Sequence, residues 1–124
     1  RALVAAESHP DMIRLDLGRE WKRVTGLPMV FGVFACRRDA PKQDLLAAHG
    51  DLIRQYHRFE NDEIFRTEVI SKSAKQVGAE EQRITRYFQH EVRNLMDAKA
   101  KEGLLRFLSE VCGMTEDPVW FSPS

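Results

Sequence analysis

The apolar run from Val30 to Cys36 constrains the fold more than any other feature of this sequence. It contains no polar residue, follows closely on Pro28, and ends abruptly at the charged residues 37–39. An uninterrupted apolar run of this length is typical of a β-strand buried on both faces, and such strands belong to sheets that helices cover. Gly32 weakens the strand and favours a bend or a close approach of another group there.

Helical patterns dominate the rest of the chain. Residues 18–24 predict a short helix that stops at Gly26, and longer helices are predicted from residue 40 onward, over 63–77, over about 79–92 and over 98–112. Asp97 is the predicted N-cap of the last helix, and Gly78 is a predicted helix stop. A second, short strand is predicted over Met12 to Leu17, where apolar and charged residues alternate loosely.

Two strands are too few to form the sheet that a doubly buried strand requires. We therefore predict that the chain is the C-terminal part of an α/β protein whose other strands lie outside it. The sequence begins with Arg1 and not with Met, which we interpret as an internal start.

Composition excludes several classes of protein. The 124 residues contain 19 Lys and Arg against 19 Asp and Glu, so the formal net charge is zero. A nucleic-acid-binding module would carry a basic excess, as would a polybasic membrane-surface domain. No apolar run approaches the roughly 20 residues needed to cross a bilayer, and the first residues of this sequence lack the cationic start, long apolar middle and small-residue cleavage site of a secretory signal. We expect neither nucleic acid nor membrane as a partner.

Metal and nucleotide chemistry have no support in the motifs. The four histidines do not pair at the spacing of helical metal ligands, and hydrolase-elbow, P-loop and dinucleotide-binding sequences are absent. We expect no metal and no cofactor. Cys36 and Cys112 are predicted to be free, buried thiols in a reducing compartment. Arginine exceeds lysine, which permits an acidic substrate but also suits a solvated surface.

The turn formed by Thr25, Gly26, Leu27 and Pro28 is the predicted functional segment. It combines a helix stop, a hydroxyl residue and a rigid proline directly before the apolar run. Backbone N–H groups released by an irregular turn can bind an anionic oxygen. The alternative interpretation is a helix-to-strand connection without chemical meaning.

This segment resembles one family of biosynthetic enzymes. Asp16-Leu17-Gly18, Trp21, Thr25 to Pro28 and Val30-Phe31 are similar to the pattern of chorismate dehydratases and of the related dihydroxynaphthoate synthases of the futalosine menaquinone pathway. The synthase branch tends to have a second proline soon after the first. Because Pro28 has no such second proline, the segment is more similar to the dehydratase branch. Further resemblance to the last two helices of the family occurs at residues 84–88 and 102–107.

The resemblance implies a two-lobed fold like that of type II periplasmic binding proteins, mostly helical in this part with one or two strands. Residues 1–28 would end the second lobe and form the hinge, and residues 29–124 would be the C-terminal part of the first lobe. The implied activity is a cytoplasmic carbon–oxygen lyase that dehydrates chorismate to 3-[(1-carboxyvinyl)oxy]benzoate, without redox cofactor or metal.

The resemblance also implies roles for the turn. Thr25 would position the small carboxylate substrate through its hydroxyl, Gly26 and Leu27 through their backbone, and Pro28 through its rigidity. The catalytic acid and base would lie in the missing N-terminal part of the same protein, without which this piece would be inactive. Alternatives are the synthase, a non-catalytic two-lobed binding protein for a small anion, and a helical interaction module.

Overall fold

All regular secondary structure is helical in the computed structural model, which describes residues 2–123 (residue 3 by its backbone alone). The predominance of helix is therefore confirmed. The helices are α1 (Ala2–Glu7), α2 (Leu17–Thr25), α3 (Lys42–Asn61), α4 (Glu63–Val77), α5 (Glu81–Arg86) and α6 (Ala98–Glu110), with a π-helical turn at Tyr87–Glu91 directly after α5. No helix within the described part of the chain is long and apolar enough to span a membrane.

Short polar side chains start three of these helices. Asp16, Asp62 and Asp97 each accept a hydrogen bond from the backbone N–H three residues ahead, which satisfies a donor that the first turn of a helix leaves free. The predicted N-cap at Asp97 is confirmed. The predicted stops at Gly26 and Gly78 are confirmed as well, since both follow the last residue of a helix with positive φ.

The chain divides into two compact units. The first consists of Arg1–Met12 and Ala40–Asn94, and the second of Ile13–Asp39 and Leu95–Ser124. Neither unit corresponds to one of the two lobes predicted from the resemblance. That assignment concerns the whole protein and stays a prediction.

A small apolar cluster holds the first unit together. Ile70 and Ala74 of α4 are buried against Ile84 of α5, and Phe88 packs on them from the π-helical turn. The ring of Phe59 in α3 lies 5.1 Å from that of Phe88, which brings α3 to the same cluster. The cluster therefore joins three helices and the π-helical turn.

The second unit is organised around α2 and α6. The Trp21 ring of α2 meets the Phe107 ring of α6 edge-on, with 5.5 Å between centroids. Gly103 and Leu104 of α6 are buried as well. In the C-terminal tail, the Trp120 ring lies under the Lys101 ammonium at 4.3 Å.

Neither segment predicted as a strand forms one in the described part of the chain. Residues 13–16 and 28–37 have no regular secondary structure. A strand needs a neighbour to pair its backbone N–H and C=O groups, and these segments have none here. Residues 31–36 consequently stay exposed, with Phe31 at 76% and Phe34 at 86%. Cys36 lies in the same segment, so its predicted burial is wrong, and Cys112 is exposed too.

The chain exposes far more surface than its mass requires. Its accessible area is 10291 Å². A folded monomer of 14.3 kDa exposes about 6,800 Å², and two separate globular bodies of half that mass would together expose about 8,200 Å². The excess of at least about 2,000 Å² is similar to one partner's share of a large obligate interface. Among the described residues, the buried hydrophobic side chains are Ile70, Ala74, Ile84 and Leu104.

Asp62 gives the first unit a testable pH dependence. Its pKa lies below the ordinary 3.8, chiefly because the Phe65 backbone N–H donates to the carboxylate, with a further contribution from Arg58. A lowered pKa in the folded state adds stability above the ordinary pKa, and that stability is lost as the pH falls through the folded value. We expect the urea midpoint to fall more steeply in acid for the wild-type chain than for Asp62→Asn, whose amide keeps the cap without the charge. Circular dichroism measures the urea midpoint at each pH. If the midpoints of the wild-type chain and of Asp62→Asn fell by the same amount in acid, this role of the Asp62 charge would be contradicted.

Candidate functional site

The turn between α2 and the apolar segment is built around the hydroxyl of Thr25. This hydroxyl donates to the carbonyl oxygen of Trp21 at 2.7 Å and accepts from the backbone N–H of Leu27 at 3.1 Å. One oxygen therefore ties the last turn of α2 to the first residues beyond the helix. Thr25 and Leu27 are both half-buried, which limits competition from water.

Gly26 reverses the chain direction at the end of α2. Its φ of 75° and ψ of −2° lie in the left-handed region, and its N–H donates to the carbonyl oxygen of Lys22 at 2.8 Å. A side chain in this conformation costs free energy, which glycine avoids. Pro28, whose ring fixes φ, then directs the chain away from the helix. The predicted turn at these four residues is confirmed as a local structure.

Helix α6 supports this turn from one side. Gly103 lies directly against Pro28 and Leu27, and four residues further along α6 the Phe107 ring packs against Trp21. The indole Nε1–H of Trp21 is buried and has no hydrogen-bond partner. Buried donors without partners are uncommon in native proteins, so this N–H is an available donor beside the turn.

The hydrogen-bonding capacity of the turn differs from the sequence-based expectation. The backbone N–H groups of Gly26 and Leu27 were expected to be available to an anionic oxygen, but both have internal partners in this structure. The Thr25 hydroxyl also commits its proton to Trp21, so that it retains acceptor capacity only. Substrate binding by these residues stays a prediction, and the geometry favours positioning over direct donation from the backbone.

A second polar cluster escaped the sequence analysis. The half-buried Arg83 guanidinium donates to Glu7 at 2.9 Å and to Glu91 at 3.1 Å, and Arg86 pairs with Glu91 at 3.4 Å. Burial lowers the pKa of Arg83, but the hydrogen bonds with Glu91 and Glu7 outweigh it and raise the pKa above its ordinary value. No local signal predicts this cluster, since Glu7 lies 76 residues away in sequence.

An apolar cavity lies beside this cluster in the first unit. It has a volume of about 360 Å³ and is lined by Val4, Val77, Ile84 and Phe88, with Arg83 beside them.

The described part of the chain contains no group of three His, Cys, Asp or Glu side chains that lie close enough together to hold a metal ion.

Comparison with known protein families identifies the family of this chain. A family model described as menaquinone biosynthesis matches residues 1–111. The match covers most of the chain, including α2, the Thr25–Pro28 turn and α6. The chain therefore belongs to the menaquinone-biosynthesis family. No curated protein and no solved structure gives a significant match.

The Thr25 hydroxyl generates a prediction about the turn. Thr25→Val preserves the shape of the side chain but removes both hydrogen bonds and leaves the half-buried Leu27 N–H without its partner. We expect the free energy of unfolding to fall by about 1–2 kcal/mol, since an orphaned buried donor costs about that much. Urea unfolding measures the change.

Thr25→Ser is the matched control, because it keeps the hydroxyl and loses only a methyl group. We expect it to stay close to the wild-type midpoint. Equal losses in the Val and Ser variants would contradict the structural role of the hydroxyl.

Proposed function

We propose that the chain is the C-terminal part of a chorismate dehydratase of menaquinone biosynthesis. Membership of the family supports the pathway. The dehydratase branch rests on the resemblance of the segment from Asp16 to Phe31, in which Pro28 is not followed by a second proline. The reaction assigned is loss of water from chorismate to give 3-[(1-carboxyvinyl)oxy]benzoate in the cytoplasm.

The uncovered apolar segment 29–36 is the observation that carries this proposal. It supports an N-terminal part of the same protein as the missing partner, since the segment has the composition of a doubly buried strand and no pairing strand among residues 2–123. The excess accessible area argues in the same direction and against a self-sufficient helical module.

The proposed whole protein has two lobes, as type II periplasmic binding proteins do. Residues 1–28 end the second lobe and form the hinge, and residues 29–124 complete the first lobe, where segment 29–36 becomes a strand of a sheet. The α/β class follows from that sheet, whose other strands come from the N-terminal part. A small carboxylate substrate binds in the cleft between the lobes.

The chemistry assigns different tasks to the two parts. A ring proton and the hydroxyl group leave chorismate as water, and the new double bond completes an aromatic ring, which supplies the driving force. The elimination needs a base, an acid that assists the departing hydroxyl, and groups that neutralise two substrate carboxylates. We assign the acid and base to the N-terminal part. The turn from Thr25 to Pro28 positions the substrate at the hinge.

The first experiment compares this chain with the intact protein. We expect the intact protein to convert chorismate to a product lighter by one water, and the chain alone to leave chorismate unchanged. Mass spectrometry of the reaction mixture distinguishes the outcomes. Turnover by the chain alone would contradict the proposed division of the catalytic groups.

The same assay separates the alternative functions. Conversion of the later pathway intermediate to a dihydroxynaphthoate, with chorismate untouched, would assign the protein to the synthase branch instead. Tight binding of a small anion that is released unchanged would indicate a solute-binding protein. Either result would overturn the dehydratase assignment while keeping the two-lobed fold.

A paired substitution tests whether segment 29–36 is covered in the intact protein. Phe34 is 86% exposed in this chain, whereas Leu104 is buried. We expect Phe34→Ala to lower the free energy of unfolding of the intact protein by about 3–5 kcal/mol and to change that of the chain alone by less than about 0.5 kcal/mol.

Leu104→Ala serves as the control and should destabilise both forms by about 2–5 kcal/mol. The contrast between the two forms isolates the contribution of the missing part. A Phe34→Ala effect that is equally small in both forms would show that the segment stays uncovered.

A further inference from the structure

Helix α6 approaches the Thr25–Pro28 turn at a position that has no side chain. A Cβ atom added to Gly103 would overlap the carbonyl oxygen of Pro28 and would lie 3.4 Å from the Cβ of Leu27. The obstructing atom belongs to the backbone, so it cannot rotate aside as the end of a flexible side chain does. Any larger residue at position 103 must push α6 and the turn apart.

A second contact on the same face of α6 fixes the orientation of the turn. Phe107 lies four residues after Gly103, so the two share one face of the helix. Its ring meets Trp21 at an interplanar angle of 77°. Trp21 in turn accepts the hydrogen bond from Thr25 through its carbonyl oxygen. The two contacts therefore hold both ends of the hydrogen-bonded turn against one helix.

Gly50 shows that a helical glycine in this chain need not be crowded. It lies inside α3, and the nearest heavy atom to an added Cβ is the flexible Arg54 Nη1 at 3.5 Å. Alanine is the better helix former, so Gly50→Ala should be tolerated. Gly103 occupies an equally helical position in α6, but there the close approach of Pro28 requires glycine.

We propose that Gly103 is a positioning residue for the substrate site. It lets the backbone of α6 contact Pro28, and this contact fixes the Thr25–Pro28 turn and the direction in which segment 29–36 leaves it. The proposal rests on the proposed function, in which this turn positions the substrate at the hinge. Gly103 itself touches the turn and not the substrate.

The test compares Gly103→Ala with Gly50→Ala in the intact protein. Both variants also carry Trp120→Phe, so that Trp21 is the one tryptophan left among residues 1–124 to contribute to the fluorescence emission. We expect Gly103→Ala to move the Trp21 emission to longer wavelength and to make amide hydrogen exchange over residues 22–30 about tenfold faster. Exchange over α4, which belongs to the other unit, should not change.

The kinetic readout separates positioning from general destabilisation. We expect Gly103→Ala to lower kcat/KM for chorismate by about 10–100-fold, mainly through a raised KM, because a displaced turn misplaces the bound substrate. The kcat/KM of Gly50→Ala should stay within about twofold of that of the parent protein, which carries Trp120→Phe alone, because residue 50 does not touch the turn. Identical emission, exchange and KM in the two variants would overturn the proposal.

Two further outcomes are distinguishable. If the intact parent protein does not dehydrate chorismate, the proposed function fails, and emission and exchange still decide whether Gly103 fixes the turn. If Gly103→Ala does not fold, the unsubstituted protein provides the test by nuclear magnetic resonance. A nuclear Overhauser contact between the Gly103 α-protons and Leu27 is expected, and its absence would overturn the proposed contact.

Discussion

The structure depends on an apolar segment that the chain itself cannot cover. Segment 29–36 has the composition of a buried strand, but its backbone has no strand to pair with in the part of the chain that the structure describes, and its phenylalanines are largely exposed to solvent. Burying one such side chain is worth about 1.5–3 kcal/mol, and this contribution is not realised here. The same deficit appears in the accessible area, which exceeds that of two globular bodies of half the mass. A covering partner is the simplest remedy for both.

The turn before this segment is, in contrast, complete by itself. Thr25 closes the end of α2 with one hydroxyl, Gly26 adopts the left-handed conformation, and Gly103 of α6 leaves room for the Pro28 backbone. A fixed turn next to the uncovered segment determines the direction in which that segment leaves α2. Within the proposed enzyme, the turn acts by holding its neighbours in place.

Local signals predicted helices α2, α3, α4 and α6, but not α1, the π-helical turn after α5 or the environment of the helices. Asp97 and Gly78 mark helix ends through bonds to residues a few positions away, so the sequence alone identified them. The ion pair between Arg83 and Glu7 and the contact of Gly103 with Pro28 join distant parts of the chain, which no local pattern encodes. Strand pairing fails for the same reason, because a strand requires a partner that local sequence does not specify.

Hydrogen exchange of segment 29–36 tests the central claim most directly. The amides of this segment should exchange almost as fast as in an unfolded peptide when the chain is studied alone. In the intact protein they should be strongly protected, because strand pairing closes each N–H in a ladder bond. Rapid exchange in both forms, or full protection in the chain alone, would contradict the account.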